Sequence, residues 1–374
     1  MLNSRLRGGG TDTQSLALAQ GLIEQGWELE VAGPENARLS AAAPSLRALP
    51  RFRPLQILSL AGILHRSRAR IVHAHHGDDY WTALLASRLV QPRPLVVFSR
   101  HLAKSPRSPI SRKHLFVRAD AVIAVSGFVG RVLLEGHEDI SSPVAERHHR
   151  PPSRLDSRRL YVVHTGIDTR LFHPKDRAFT DSVRRALGLV AGETVFGVVG
   201  GFDLPVGKGQ RVFVRAARDV VRRLPKSKFL LAGTGSMAAT LEADIRYHGL
   251  QDRVRLVGQQ PDPVALHHAL DILVHPQNAT EAFPSVVLEA HACGRPVIAS
   301  RLDGIPEAWA IGGLGHLVPA GDAAELAATM IGQAEHPAPS EPERAAAHAR
   351  VEAEASLPVQ ARKVADLYRR LMAR

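Results

Sequence analysis

The sequence predicts an α/β protein of two doubly wound domains in tandem, on three observations. Its 374 residues are more than a typical single core accommodates. Apolar β-rich runs alternate with helix-period segments along most of the chain, the pattern of βαβ units and parallel sheets. The runs also fall into two consecutive sets of five. The first half offers WELEVAG, ARIVHAH, PLVVFS, DAVIAVS and YVVHTG; the second offers TVFGVVG, KFLLAG, RVRLVG, DILVHP and RPVIAS. Helical stretches between them include TQSLALAQGLIEQG, QRVFVRAARDVVRRL and SMAATLEADIRYHG.

Periodicity stops near GIDTRLFHPKD, where proline and charges enter, so the boundary is expected there. This gives a first domain at 1–170, a second at 171–355 and a final segment at 356–374. The final helix, in VQARKVADLYRRLMAR, carries an apolar stripe of Val364, Leu367 and Leu371 that must pack on something. SSPVAERHHRPPSRLDSRR reads as a basic loop, and EHPAPSEPE as a second linker. A doubly wound domain needs a strand ahead of its first glycine turn, yet few residues precede RGGG. The first strand is therefore expected to be truncated: either very short, or cut by a start downstream of the true one.

Composition is that of a soluble globular protein, 45% hydrophobic and 22% charged. No apolar run approaches the roughly 20 residues that span a bilayer, and the start lacks a signal-peptide core. A lone cysteine, Cys293, excludes an intramolecular disulfide and favours a reducing compartment. A cytoplasmic location is expected. The net charge of +12 fits either a solvated basic surface or docking on an anionic membrane face. Nucleic acid is not expected as a partner: no binding signature is visible, and stacking aromatics make up only 5%.

Several turns have the composition of ligand sites. In RGGGTDTQ, Gly9 and Gly10 open a helix whose amides could approach a phosphate; a plain turn capped by Thr11 or Asp12 is the alternative. In GGFDLPVGKGQ, Lys208 stands at a helix start, where its charge opposes the helix dipole unless it serves an anion. Gly235 in LLAGTGSM either borders a ligand at a strand's carboxyl end or makes a tight βα turn. Histidines are numerous, but no cluster has metal-ligand spacing with supporting carboxylates. His101 closely follows the strand PLVVFS and either faces a cleft or sits solvated in a loop.

The stretch TEAFPSVVLEA places Glu281 before a helix and Glu289 within an apolar one. A buried carboxylate is costly and usually has a partner or a task. Pro284 suits the first helical turn, leaving the amides of Ser285 and Val286 free for an anion. Donors for a diphosphate flanked by carboxylates for hydroxyls describe a nucleotide-sugar site. The structural alternative is a solvated Glu281 and a Glu289 paired with an arginine.

The Glu281-to-Glu289 pattern, continuing as LEAHACGRPVIASRLDGIPE, resembles that of retaining glycosyltransferases of family 4. YVVHTGIDTRLFHP resembles the family's interdomain segment, ADAVIAVSGF its last N-domain strand, and RGGGTDTQSLALAQGL its glycine loop and first helix. The resemblance implies the GT-B fold, two Rossmann-like domains facing across a cleft with the C-terminal helix crossing back to the N-domain. It implies that Glu281 contacts the donor sugar, with Phe283 beside it, and that Glu289 contacts the ribose. Ser285, Val286 and Lys208 would hold the diphosphate, Gly9 and Gly10 would line the cleft, and His101 would lie near the transferred sugar. Neither a metal nor another cofactor is implied. One departure matters: where the family usually has an arginine shortly before the lysine, this chain has Gly201.

The implied reaction moves a sugar from a nucleoside-diphosphate sugar to a hydroxyl of a cell-envelope glycan or glycolipid, such as lipopolysaccharide core, with retention. A nucleotide-sugar epimerase or a non-catalytic scaffold on the same fold are the alternatives.

Overall fold

The computed structural model describes residues 1–106, 108–139, 148–204 and 207–374. Of the loop expected over SSPVAERHHRPPSRLDSRR, residues 141–147 lie outside the described residues, and the rest holds a short strand at His148–Arg150 and a 3-10 turn at Ser157–Arg159; two residues of GGFDLPVGKGQ also lie outside them. The chain divides into two compact units: Met1–Glu138 with His149–Gly166 and Leu357–Arg374, and Asp139–His148 with Ile167–Ser356.

In the first unit β1 (Val31–Gly33) pairs in parallel with β2 (Leu46–Ala48). Strands β3 (Ile71–Ala74), β4 (Leu95–Arg100), β5 (Ala121–Ala124) and, past β6 (His137–Asp139) and β7 (His148–Arg150), β8 (Leu160–Val162) form a parallel four-stranded sheet. Leu2 bridges in parallel to both Ala32 and Ala74, so one residue occupies the first-strand position between the two sheets. It is held by bonds from its own N–H to the His73 carbonyl at 2.8 Å and from Asn3 N–H to the Ala32 carbonyl at 3.0 Å.

The continuous apolar runs of the sequence follow from burial on both faces of this sheet. Val96, Phe98 and Val122 point into one layer with Leu60, Tyr80 and Phe116. Val97, Ala121 and Ile123, alternating with them, point into the other with Leu18, Leu22 and Leu367. The second layer is completed by helix Leu357–Met372, which buries Val364, Leu367 and Leu371 against helix Gly10–Glu24. Closeness there demands small residues: a Cβ on Gly21 would lie 3.0 Å from that of Ala361.

The second unit is a six-stranded parallel sheet of β9 (Thr194–Val199), β10 (Ser227–Ala232), β11 (Val254–Gly258), β12 (Ile272–His275), β13 (Val297–Ser300) and β14 (Gly315–Val318). Its order is β11-β10-β9-β12-β13-β14. Counted from β9 this is 3-2-1-4-5-6, the doubly wound order with its reversal between β9 and β12. Ligands of such sheets bind outside the strands' carboxyl ends at that reversal, so the segments after Val199 and His275 are where a site is expected. Phe196, Val198, Phe229, Leu231 and Val274 anchor the core beneath it. Among the described residues no helix is long and apolar enough to cross a membrane.

Candidate active site

The turn after β9 and the segment after β12 meet at the reversal point of the second unit. A Cβ on Gly209 would fall 1.9 Å from the Pro276 carbonyl oxygen, and one on Gly233 2.3 Å from that of Gly200. Only glycine lets these backbones approach so closely, and both residues have positive φ. Gln210, buried at the start of helix Gln210–Arg223, ties the turn together: its amide donates to the Gly200 and Gly201 carbonyls at 3.3 Å and accepts from Lys208 N–H at 2.7 Å.

Lys208 is thereby aimed at Glu281, and their side chains form an ion pair. The backbone of Glu281 is fixed by its N–H donating to Asp303 at 3.2 Å and its carbonyl accepting from Gly304 at 3.1 Å. Burial alone would raise the Glu281 carboxyl, but Lys208, with smaller help from its other neighbours, holds it below the ordinary range. His275, at the end of β12, lies 3.8 Å from the same carboxylate. Burial lowers this imidazole to about 4, so it is neutral near pH 7.

Helix Ser285–Ala292 begins beside this pair, with Pro284 as the preceding cap residue rather than inside the first turn. Its first amides have no partners within the helix. Phe283 is buried just ahead of them. Among the described residues Glu289 pairs with no arginine; its carboxylate is 3.2 Å from Nε2 of His267, on helix Pro263–Ala269. Gly235 packs tightly, a Cβ there falling 2.3 Å from the Phe202 carbonyl carbon. Gly201 is exposed, and a Cβ on it would meet nothing nearer than the Thr234 oxygen at 3.5 Å.

The first unit has its own polar pocket, of about 280 Å³, bordered by Gly9, Gly10, Asp12, His76, Arg100 and His101 among others. Gly9 precedes helix Gly10–Glu24 without any side-chain cap, so neither Thr11 nor Asp12 caps it. Asp12 instead turns inward: it accepts from the amides of Arg7 at 2.8 Å and Gly8 at 3.1 Å, and from Asn3 at 3.1 Å. Its carboxylate also lies 2.7 Å from Nε2 of His76. Burial works against this carboxylate, but hydrogen bonds led by those of His76 and Asn3 keep it ionised below its ordinary range. Nothing lies within 4 Å of a Cβ built on Gly9 or Gly10, so the turn is open to a ligand. His101 contacts His75 at 3.3 Å, and burial lowers it to about 3, leaving a neutral imidazole at the pocket.

The structure thus gathers Gly201, Lys208, Gly235, Glu281, Phe283, Ser285, Val286 and Glu289 at one end of the second unit's sheet. It sets Gly9, Gly10 and His101 around one pocket of the first. Residue reasoning missed Gln210, His275, Asp303 and the Asp12–His76 pair. Gln210 had a signal, a polar residue opening an otherwise apolar-striped helix directly after GKG.

Comparison with known proteins identifies the family and the fold. The family model described as Glycosyltransferase Family 4 matches residues 8–141, and that described as Glycosyl transferases group 1 matches residues 193–335. The chain belongs to glycosyltransferase family 4. The D-inositol 3-phosphate glycosyltransferase of Mycobacterium sp. (strain KMS) is 32% identical over 283 residues, 70% of this family 4 chain and 58% of that protein. The protein of the same description from Mycobacterium avium (strain 104) is 28% identical, over 89% of this chain and 82% of its own. The chain thus spans 58% of the length of the first of these curated relatives. Among solved structures, a glycosyltransferase from Rickettsia africae superposes with a TM-score of 0.83 at 18% identity, covering 99% and 97% of the two chains. Anabaena HepE in complex with UDP and glucose superposes with a TM-score of 0.76 at 20% identity, covering 98% of both. The family 4 chain therefore has the GT-B fold.

Proposed function

We propose that this chain transfers a sugar from a nucleoside-diphosphate sugar to an acceptor hydroxyl with retention of configuration. The Lys208–Glu281 pair beside the start of helix Ser285–Ala292 carries the reading. A cation, free helix amides and a close-packed glycine turn suit a departing diphosphate, while Glu281 and Glu289 suit sugar and ribose hydroxyls. The donor is then held by the second unit, and the acceptor by the pocket of His101 in the first.

Catalysis in this scheme is electrostatic. Negative charge gathers on the leaving diphosphate as the glycosidic bond breaks, and Lys208 and the amides of Ser285 and Val286 stabilise it without a metal. The acceptor hydroxyl attacks the same face, its oxygen forming the new glycosidic bond as the bond to the diphosphate breaks, and its proton passes to the departing diphosphate oxygen. Neutral His101 accepts a hydrogen bond from a sugar hydroxyl or donates one, according to its tautomer.

Inositol phosphate glycosyltransferases are among the relatives, and UDP and glucose are bound in the Anabaena protein, which favours a UDP-sugar in the donor panel. A cell-envelope acceptor, lipopolysaccharide core included, fits the fold likeness to the lipopolysaccharide outer core galactosyltransferase WaaB (TM-score 0.70) and to WaaG, a glycosyltransferase involved in lipopolysaccharide biosynthesis (TM-score 0.63), each 15% identical. Docking on an anionic inner membrane face is supported by exposed Phe52, Leu55 and Leu58 beside Arg51 and Arg53 at helix Arg53–Arg66. The test is transfer from a panel of UDP-, GDP- and ADP-sugars by Lys208→Ala and Glu281→Ala. Turnover is expected to fall about 10²–10³-fold; unchanged turnover in both would overturn the reading.

A further inference from the structure

His275, the last residue of β12, is only 1% exposed, and neither of its ring nitrogens has a hydrogen-bond partner among the described residues. A neutral imidazole carries one N–H and one acceptor nitrogen, and burying both unpaired is costly. Packing alone gives no reason for it, since Ile272, Leu273 and Val274 fill the rest of this buried strand with apolar side chains. Its Nε2 stands 3.8 Å from the Glu281 carboxylate, too far for a hydrogen bond yet within a small side-chain adjustment of one.

Lys208 already satisfies that carboxylate, and the three groups differ in freedom. Glu281 is anchored through its backbone to Asp303 and Gly304, and its side chain is largely buried. His275 is fixed by the strand, in register with Ala299 of β13. Lys208 is the loose member. A third of its side chain is exposed, and the base of its stem is confined where a Cβ on Gly200 would lie 3.1 Å from its Cγ. A diphosphate at the start of helix Ser285–Ala292 draws this ammonium, because it carries more negative charge than one carboxylate. Glu281 would then be buried with its cation withdrawn, which is costly unless another group replaces it.

We infer that His275 is a positioning residue that takes over the Glu281 carboxylate when Lys208 turns to the diphosphate of the sugar nucleotide. The trigger rests on the reading that the second unit binds such a molecule. The imidazole Nε2–H donates to the carboxylate, closing 3.8 Å to about 3 Å. Glu281 stays ionised and aimed at the sugar hydroxyls, while the whole ammonium charge serves the leaving group. Burial keeps His275 neutral near pH 7, so it supplies an N–H without a competing positive charge.

The test is a double-substitution cycle on the full chain, without and with sugar nucleotide. His275→Leu removes the N–H at similar volume, and His275→Gln keeps one. In the free chain Lys208 holds Glu281, so His275→Leu is expected to leave the melting temperature unchanged or raise it. In the Lys208→Ala background the imidazole is the remaining side-chain partner, and the same substitution is expected to lower the melting temperature by a few degrees. His275→Gln should recover part of that loss. UDP-, GDP- and ADP-glucose are then titrated calorimetrically. For whichever binds, His275→Leu is expected to weaken affinity about tenfold, His275→Gln to recover part of it, and His275→Leu to add nothing in the Glu281→Ala background. A His275→Leu chain that fails to fold, or loses as much melting temperature with Lys208 present as without it, marks a core residue and overturns the inference. Sugar-nucleotide affinity unchanged in both His275 variants overturns it too. A coupled cycle in the free chain with none of the three nucleotides bound supports the exchange of partners and sinks the assignment of its trigger.

Discussion

Lys208 and Glu281 depend on each other. With Lys208→Ala, Glu281 is left largely buried without its cation; its carboxyl is expected to rise and stability to fall by about 1–3 kcal/mol, read in a denaturant titration. Stability within a few tenths of wild type would show that water already reaches the carboxylate. The glycines separate into two kinds. Gly201→Arg places a side chain into open space and supplies a cation beside the proposed diphosphate, as the resemblance implies for this turn, so it is expected to raise turnover with little change in melting temperature. Gly235→Ala forces a methyl group to 2.3 Å from the Phe202 backbone and is expected to lower the melting temperature by several degrees. Equal effects of the two substitutions would contradict the geometry. At this scale the sequence was only partly legible. Glu289 and Lys208 stood out because a carboxylate in an apolar helix and a lysine at a helix start are each unfavourable without a task, and Glu281 through its place just ahead of that helix. The partners His267, His275 and Gln210 did not, because they lie at sequence distances that no local pattern links. Asp12 entered only as one of two caps in the plain-turn alternative, and the fold instead uses it to accept from the amides of Arg7 and Gly8.

Among the elements, helix Leu357–Met372 is the one whose packing was most open to reading, through the spacing of Val364, Leu367 and Leu371. Its contact with helix Gly10–Glu24 places Leu367 at 1% exposure, so Leu367→Ala is expected to cost about 2–5 kcal/mol. Tyr368 on the same helix is hydrogen-bonded to Nδ1 of His73 at 2.6 Å, and Tyr368→Phe leaves that buried nitrogen unpaired. Denaturant midpoints unchanged by Leu367→Ala would show that the helix does not belong to the first unit's core. Ten strands were legible as apolar β-branched runs. Strand β14 was not, because GGLGHLV is short and glycine-rich, and its pairing beside β13 compensates for weak local preference. Leu2 shows the opposite limit: two flanking strands define a position that a single residue fills.

Across the whole molecule, buried neutral histidines couple stability to pH. Burial lowers His268, His275 and His291 to about 4 from the ordinary 6.5. The unfolded chain therefore binds more protons than the folded one between these values. Stability is fully present above about pH 6.5 and is lost as pH falls towards 4, by up to about 1.4 kcal/mol per pH unit for each such histidine. Melting temperature is expected to fall steadily from pH 7 to pH 5; a flat or rising profile would contradict the burial of these side chains. The alternation of strands and helices made the two-unit α/β organisation legible, because burial of both sheet faces writes itself into continuous apolar runs. The reversal between β9 and β12, which positions the site, is a property of strand order, and no local pattern records it.

In the proposed function, the end of the second unit's sheet binds a nucleoside-diphosphate sugar. Calorimetric titration of UDP-, GDP- and ADP-glucose into the wild-type chain and into the Lys208→Ala and Glu289→Ala variants tests it most directly. At least one donor is expected to bind the wild-type chain, and both substitutions to weaken it about tenfold or more. Binding of none of the three, or binding that both variants retain in full, would contradict it.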